Sequence, residues 1–143
     1  MAITIFVYGT LMKGFGNERV IDGFPHSNER VKVSGYDMYN VGGFPALVEG
    51  THDYYGELIT FDESVNPASL YHSMDRLEGY NKNSPATSMY LRKPIECIKE
   101  NGEKVQTEVY LWNFSTNGLM FIDPDLFCDY QEFVKAKYHQ EAI

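Results

Sequence analysis

Residues 66–79 read Asn66-Pro67-Ala68-Ser69-Leu70-Tyr71-His72-Ser73-Met74-Asp75-Arg76-Leu77-Glu78-Gly79, the clearest helix in the chain. Pro67 suits the first helical turn, where a missing N–H leaves no intrahelical bond unmade. Leu70, Met74 and Leu77 recur at i, i+4, i+7 and form an apolar stripe. Gly79 is the natural left-handed residue to end the helix. After it, Asn81 to Thr87 is a polar loop containing a proline. Ser88 to Lys99 and Lys104 to Phe114 then read as two strands around Glu100-Asn101-Gly102-Glu103. Asn-Gly between two such runs is the strongest short hairpin signal. Pro94 inside the first run marks an edge strand or a bulge.

Upstream of the helix the pattern is extended. Ala2 to Tyr8 has two apolar faces (Ile3, Ile5, Val7 and Thr4, Phe6, Tyr8) and so is expected to be a central strand. Asn17 to Ile21 reads as one helical turn. Arg30 to Tyr39 alternates, with Gly35 marking a bulge or a close backbone approach. Gly42-Gly43-Phe44-Pro45 is a loop, Ala46 to Val48 a short strand, and Tyr54 to Phe61 another with Gly56 inside it. Asp125 to His139 reads as a terminal helix, with Leu126, Tyr130, Phe133 and Val134 as its apolar stripe. Strands, a helix, a hairpin and a terminal helix make an α+β chain. Its sheet is expected to be mainly antiparallel, strongly bent at Gly35 and Gly56, and closed into a small β-barrel.

At about 100–200 residues per domain, 143 residues form one domain, 1–143. With 43% apolar and 15% aromatic residues the chain buries a core rather than staying disordered. A net charge of −8 argues against nucleic acid or an anionic membrane as partner, because both need a basic face. No apolar run approaches the roughly 20 residues of a membrane helix. Cys97 and Cys128, without a C-x-x-C, read as two buried thiols in a reducing cytoplasm. The N-terminus lacks the basic start of a signal peptide. A small-molecule substrate and a cytoplasmic location are expected; the sequence leaves the oligomeric state open.

Two places can carry chemistry. Tyr8-Gly9-Thr10-Leu11 ends the first strand in a glycine turn whose consecutive N–H groups can hold an anion. Gly9 and Gly14 have phosphate-loop spacing, but Phe15-Gly16 stands where lysine and a hydroxyl residue must follow, and Lys13 does not repair this. Glu78 is the second place. It lies four residues after Met74 at the edge of the apolar stripe, and in the last helical turn. Burial and the negative helix end both favour its neutral form and raise its pKa, as a general acid or base near neutral pH requires. A solvated glutamate paired with an arginine is the alternative.

Elsewhere the signals are weaker. His72 and Asp75 alone do not make a metal site. No G-x-S-x-G elbow is present. Asp123, Asp125 and Asp129 lack calcium-loop spacing and read as negative charge for the start of the terminal helix. The tyrosines at 36, 39, 54, 55, 90 and 110 serve packing, and phenols also line pockets well.

Taken in order, these segments resemble the γ-glutamyl cyclotransferase-like superfamily, in its γ-glutamylamine cyclotransferase and AIG2-like branch. The matching pieces are Val7-Tyr8-Gly9-Thr10-Leu11 with Lys13-Gly14 and Asn17, Gly35-Tyr36 with Met38-Tyr39, and Phe44-Pro45-Ala46. Gly56-Glu57-Leu58, Met74-Asp75-Arg76-Leu77-Glu78-Gly79-Tyr80, Tyr90-Leu91-Arg92 and Tyr110 continue the set. Met74 stands where the family usually has leucine, and the Asn81 to Ser88 loop is longer than is common in this branch. The resemblance implies a small mixed β-barrel flanked by helices, with no metal and no organic cofactor. It implies release of an amine or amino acid from a γ-glutamyl substrate with formation of 5-oxoproline. It also implies Glu78 as the catalytic acid/base, with Tyr8, Gly9, Thr10, Leu11, Tyr90 and Tyr110 at the substrate. A non-catalytic ligand-binding or regulatory domain on the same scaffold is the other reading that these residues allow.

Overall fold

A computed structural model describes residues 2–9 and 19–141, with the side chains of 138–141 left aside. Its strands are β1 (Thr4–Val7), β2 (His26–Asn40), β3 (Pro45–Phe61), β4 (Tyr90–Lys99), β5 (Lys104–Trp112) and β6 (Met120–Phe121). Helix α1 spans Pro67–Glu78 and α2 spans Tyr130–Glu141. The sheet runs β1-β3-β2-β4-β5, with β6 on β2, and every described pairing is antiparallel. The mainly antiparallel α+β reading holds; the parallel share implied by "mixed" is absent from the described pairings.

The sheet bends far enough to bring its two ends together without closing. Thr4 Oγ1 lies 2.6 Å from Thr107 Oγ1, and the Tyr8 hydroxyl donates to the Tyr110 carbonyl at 2.5 Å. These are side-chain bonds; among the described residues no ladder joins β1 to β5. The barrel is therefore an open, wrapped sheet. This also corrects the placement of β1. It ends the strand order, yet Ile5, Phe6 and Val7 are buried because the wrap lays β5 beside it. Ile5 and Val7 pack with Leu70, Met74 and Phe61, while Phe6 and Tyr8 pack with Val33, Tyr54 and Tyr130. Alternation along one strand thus feeds two core clusters.

Glycine makes two of the bends. Gly35 has φ +92° where the β2–β3 register shifts, and no atom lies within 4 Å of the Cβ it lacks. It is a bulge, not a close approach. Gly56 is the close approach: a Cβ there would stand 2.5 Å from the Val7 carbonyl oxygen. Strand β3 runs from Pro45 to Phe61 and pairs with β2 on both sides of an irregularity at Gly50 and Thr51, so the two expected short strands are one. The Asn101-Gly102 turn forms as read, with Gly102 at φ +89°. Pro94 faces Glu108 on β5, while β4 meets β2 only at Ile98 and Lys99, so the proline sits on a locally open edge.

Helix α1 is capped at both ends. The Asn66 side chain accepts from Ser69 N–H, and Gly79 takes φ +67° with its N–H on the Arg76 carbonyl. Helix α2 begins five residues later than its stripe suggested. Asp129, buried, accepts from Glu132 N–H at 2.8 Å, while Leu126 precedes the helix and is 70% exposed. Asp129 thus supplies the helix start, as read for the acidic cluster, whereas Asp123 accepts from Asp125 N–H in a turn. Arg19 and Val20 belong to a short turn of helix; Asn17 and Glu18 lie outside the described residues. Cys97 is buried and Cys128 half-buried, both as free thiols.

Candidate active site

Helix α1 delivers Glu78 at its last residue, and the Gly79 cap then turns the chain away. The loop that follows is pinned to the sheet. Asn113 Nδ2 donates to the carbonyls of Pro85 (2.9 Å) and Ser88 (2.8 Å), and Met89 N–H donates to the Gly79 carbonyl at 3.0 Å. The long 81–88 segment therefore feeds Met89 and Tyr90 back beside Glu78. Together with Tyr8 and Gly9 from the end of β1 and Tyr110 from β5, they line a cavity of about 300 Å³.

Five of the expected site residues thus meet in one place: Glu78, Tyr8, Gly9, Tyr90 and Tyr110. Thr10, Leu11 and Lys13 lie outside the described residues. Gly9 is tied to the wall by size, since a Cβ would stand 2.8 Å from the Pro45 ring. Phe44, Pro45, Leu77 and Met89 also line the cavity. The sequence singles out none of the four as a site residue, although Phe44, Pro45 and Leu77 stand inside motifs that carry the family resemblance. Met89 had no signal, because a loop return that depends on Asn113 and Gly79 leaves no local pattern.

Glu78 is half-buried and, among the described residues, makes no ion pair with an arginine, unlike the solvated, paired carboxylate of the alternative reading. Burial pushes its carboxyl up from 4.5 to about 7, with no offsetting charge or hydrogen bond among the described residues. Burial is the cause that the structure shows. The phenols around it are raised as well, each chiefly by burial and further by the charge of Glu78. They stay neutral through the pH range in which Glu78 titrates.

Behind Tyr110 lies a polar cluster that fixes its ring. The Tyr110 hydroxyl donates to the Asp75 carboxylate, one helical turn before Glu78. Arg92 Nε lies 3.6 Å from the same carboxylate, and the Arg92 guanidinium sits 4.1 Å from the Tyr71 ring centre. Tyr90 is fixed by donating to the Pro45 carbonyl at 2.6 Å. The three phenols are therefore held in set orientations before any ligand arrives.

The sequence matches the family described as "Gamma-glutamyl cyclotransferase, AIG2-like" over residues 5–128. The chain belongs to this family. A Vibrio cholerae protein that carries the provisional name gamma-glutamylcyclotransferase is 34% identical over 59 residues, 41% of this chain and 51% of that protein. The match thus spans about half the length of that relative. A mouse AIG2-like protein shares the fold at a TM-score of 0.64 and 23% identity, over 85% of this chain and 86% of its own. A Pyrococcus horikoshii protein does so at 0.64 and 19%, over 96% and 97%. At such identities the solved structures show a common fold. Within this cyclotransferase family member, every described cavity residue falls inside the matched segment.

Proposed function

We propose that this family member is an enzyme that releases an amine or amino acid from a γ-glutamyl compound, with 5-oxoproline as co-product. The observation that carries the reading is Glu78, a carboxyl raised to about 7 in a cavity of about 300 Å³ walled by neutral phenols. The substrate's α-amino nitrogen attacks its own γ-carbonyl carbon and closes a five-membered ring. Nucleophile and electrophile share one molecule, so the protein has to fold the substrate and move protons. The α-amino group is an ammonium at neutral pH and must lose a proton before attack. Glu78 takes that proton, and the new C–N bond pushes the γ-carbonyl oxygen to an oxyanion. As the oxyanion collapses, the bond to the leaving nitrogen breaks and Glu78 returns the proton to it; the ring nitrogen gives up its second proton to the released amine, which leaves as an ammonium beside the neutral lactam. A carboxyl near 7 serves both steps, being neither too weak a base nor too weak an acid.

The turn Tyr8-Gly9-Thr10-Leu11 would supply backbone N–H groups to the substrate's carboxylate or to the oxyanion. No metal or organic cofactor takes part in these steps. The two free thiols and the absence of a helix long and apolar enough to span a membrane, among the described residues, support a cytoplasmic setting. Incubation with γ-glutamyl amines, γ-glutamyl amino acids and glutathione, read for 5-oxoproline, tests the reading. Product from at least one is expected; none from any of them refutes it in favour of a binding domain on the same scaffold.

A further inference from the structure

We infer that the phenol oxygens of Tyr8, Tyr90 and Tyr110 form an acceptor-only wall that takes a primary ammonium, so that the substrate's carboxylate must be held on another side of the cavity. A phenol has one hydrogen to give. Tyr8 gives its hydrogen to the Tyr110 carbonyl at 2.5 Å, and Tyr90 gives its own to the Pro45 carbonyl at 2.6 Å. Tyr110 gives its hydrogen to the Asp75 carboxylate. Carbonyl and carboxylate oxygens carry no hydrogen to return, so none of these bonds can reverse. What each phenol oxygen has left is lone pairs. The Leu47 N–H approaches the Tyr8 oxygen at 3.4 Å and leaves its second pair open.

Among the described residues, these three oxygens offer an anion no hydrogen. An ammonium brings three N–H donors and a positive charge, and aromatic walls favour a cation further. Glu78, whose charge is felt at all three hydroxyls, adds an acceptor of the opposite sign. The Asp75–Arg92 pair matters here because it keeps Tyr110 donating backwards. Asp75 is thus a positioning residue for the wall. Identifying the ammonium as the substrate's α-amino group rests on the proposed γ-glutamyl reaction; the polarity of the wall does not.

Three unreactive probes separate the two charges: 2-aminohexanoate, pentylamine with only the ammonium, and hexanoate with only the carboxylate. Titration calorimetry on the full chain is expected to show pentylamine binding at least about tenfold more tightly than hexanoate, the scale of one charge-assisted hydrogen bond. In Tyr90→Phe the ratio should fall by at least about threefold, with 2-aminohexanoate weakened in parallel. Tyr8→Phe is read in the same way and stands in if Tyr90→Phe does not fold. Hexanoate binding as tightly as pentylamine, no binding of either amine, or an unchanged ratio in the folded variant overturns the inference. A preserved ratio without any 5-oxoproline overturns the reaction and leaves the wall standing.

Discussion

Glu78 is stable as a neutral acid and costly as a carboxylate, and this has a sign that can be measured. Its unfolded value is 4.5 and its folded value about 7. Between those values the native state holds a proton the unfolded chain has released, so this residue's contribution to stability falls as pH rises through the window. Below the window both states are protonated and the penalty vanishes. Glu78→Gln should therefore raise the melting temperature at pH values above the window and leave it nearly unchanged below it. Scanning calorimetry of both proteins across pH checks this, and an equal effect at all pH values would remove burial as the cause. The same variant should lose at least about 10²-fold in turnover, the lower end of acid–base contributions, measured by 5-oxoproline release. With Glu78 as the base, kcat/KM of the native enzyme should rise with pH to a plateau above about 7. Glu78 was legible in the sequence because Met74 fixes its side of the helix, and burial at that point follows. Met89 was not, because only the Asn113 and Gly79 hydrogen bonds bring it to the cavity.

The elements carry their own instructions where caps and turns are local. Asn66 satisfies the Ser69 N–H, so Asn66→Ala should cost about 1 kcal/mol in urea-induced unfolding, with little change in KM. Gly79 holds φ +67° with the Met89 Cβ only 3.3 Å from the missing Cβ. Gly79→Ala should cost about 1 kcal/mol or more and also raise KM, since the same turn sets Met89 and Tyr90. An effect on stability alone would show that the turn does not transmit to the cavity. Helix α1 and the Asn101-Gly102 hairpin were readable for this reason: each needs only residues within a few positions. Strand β3 was not readable as one piece. Its middle, Glu49 to Asp53, is polar and looks like a loop, but Ser34 and Tyr36 of β2 pair with Asp53, His52 and Glu49 across the bulge. Strand β6 is two residues long and exists only because Tyr39 and Asn40 offer an edge. The start of α2 was misplaced because Leu126 fits a helical stripe by spacing, while Asp129 caps the chain after it.

At the scale of the whole molecule the cavity depends on the wrap that sets β5 beside β1. Gly56 makes it possible by letting the Val7 carbonyl and the Phe6 ring approach the β3 backbone. Gly56→Ala should cost about 1–3 kcal/mol through overpacking against backbone that cannot give way, and should lower activity more than a destabilised but intact site would. Circular dichroism melts together with 5-oxoproline release check the pair of effects; near-native values of both would show that the two strands can separate at no cost. Neighbours along the chain suffice for the α+β class, α1 with its caps, the hairpin, the glycine bends and the side of α1 on which Glu78 stands, so these are legible without the fold. The ordered motifs also carried the family, because they record which residues recur and not how they meet. Tertiary structure alone decided that the sheet wraps without closing and that β1, though last in the strand order, is buried. It also decided that Tyr8, Tyr90 and Tyr110 spend their hydrogens on acceptors 102, 45 and 35 residues away. The physical reason is separation: periodicity and caps act over a turn or two, whereas burial of a carboxyl and the direction of a phenol hydrogen are set by atoms that only folding brings near.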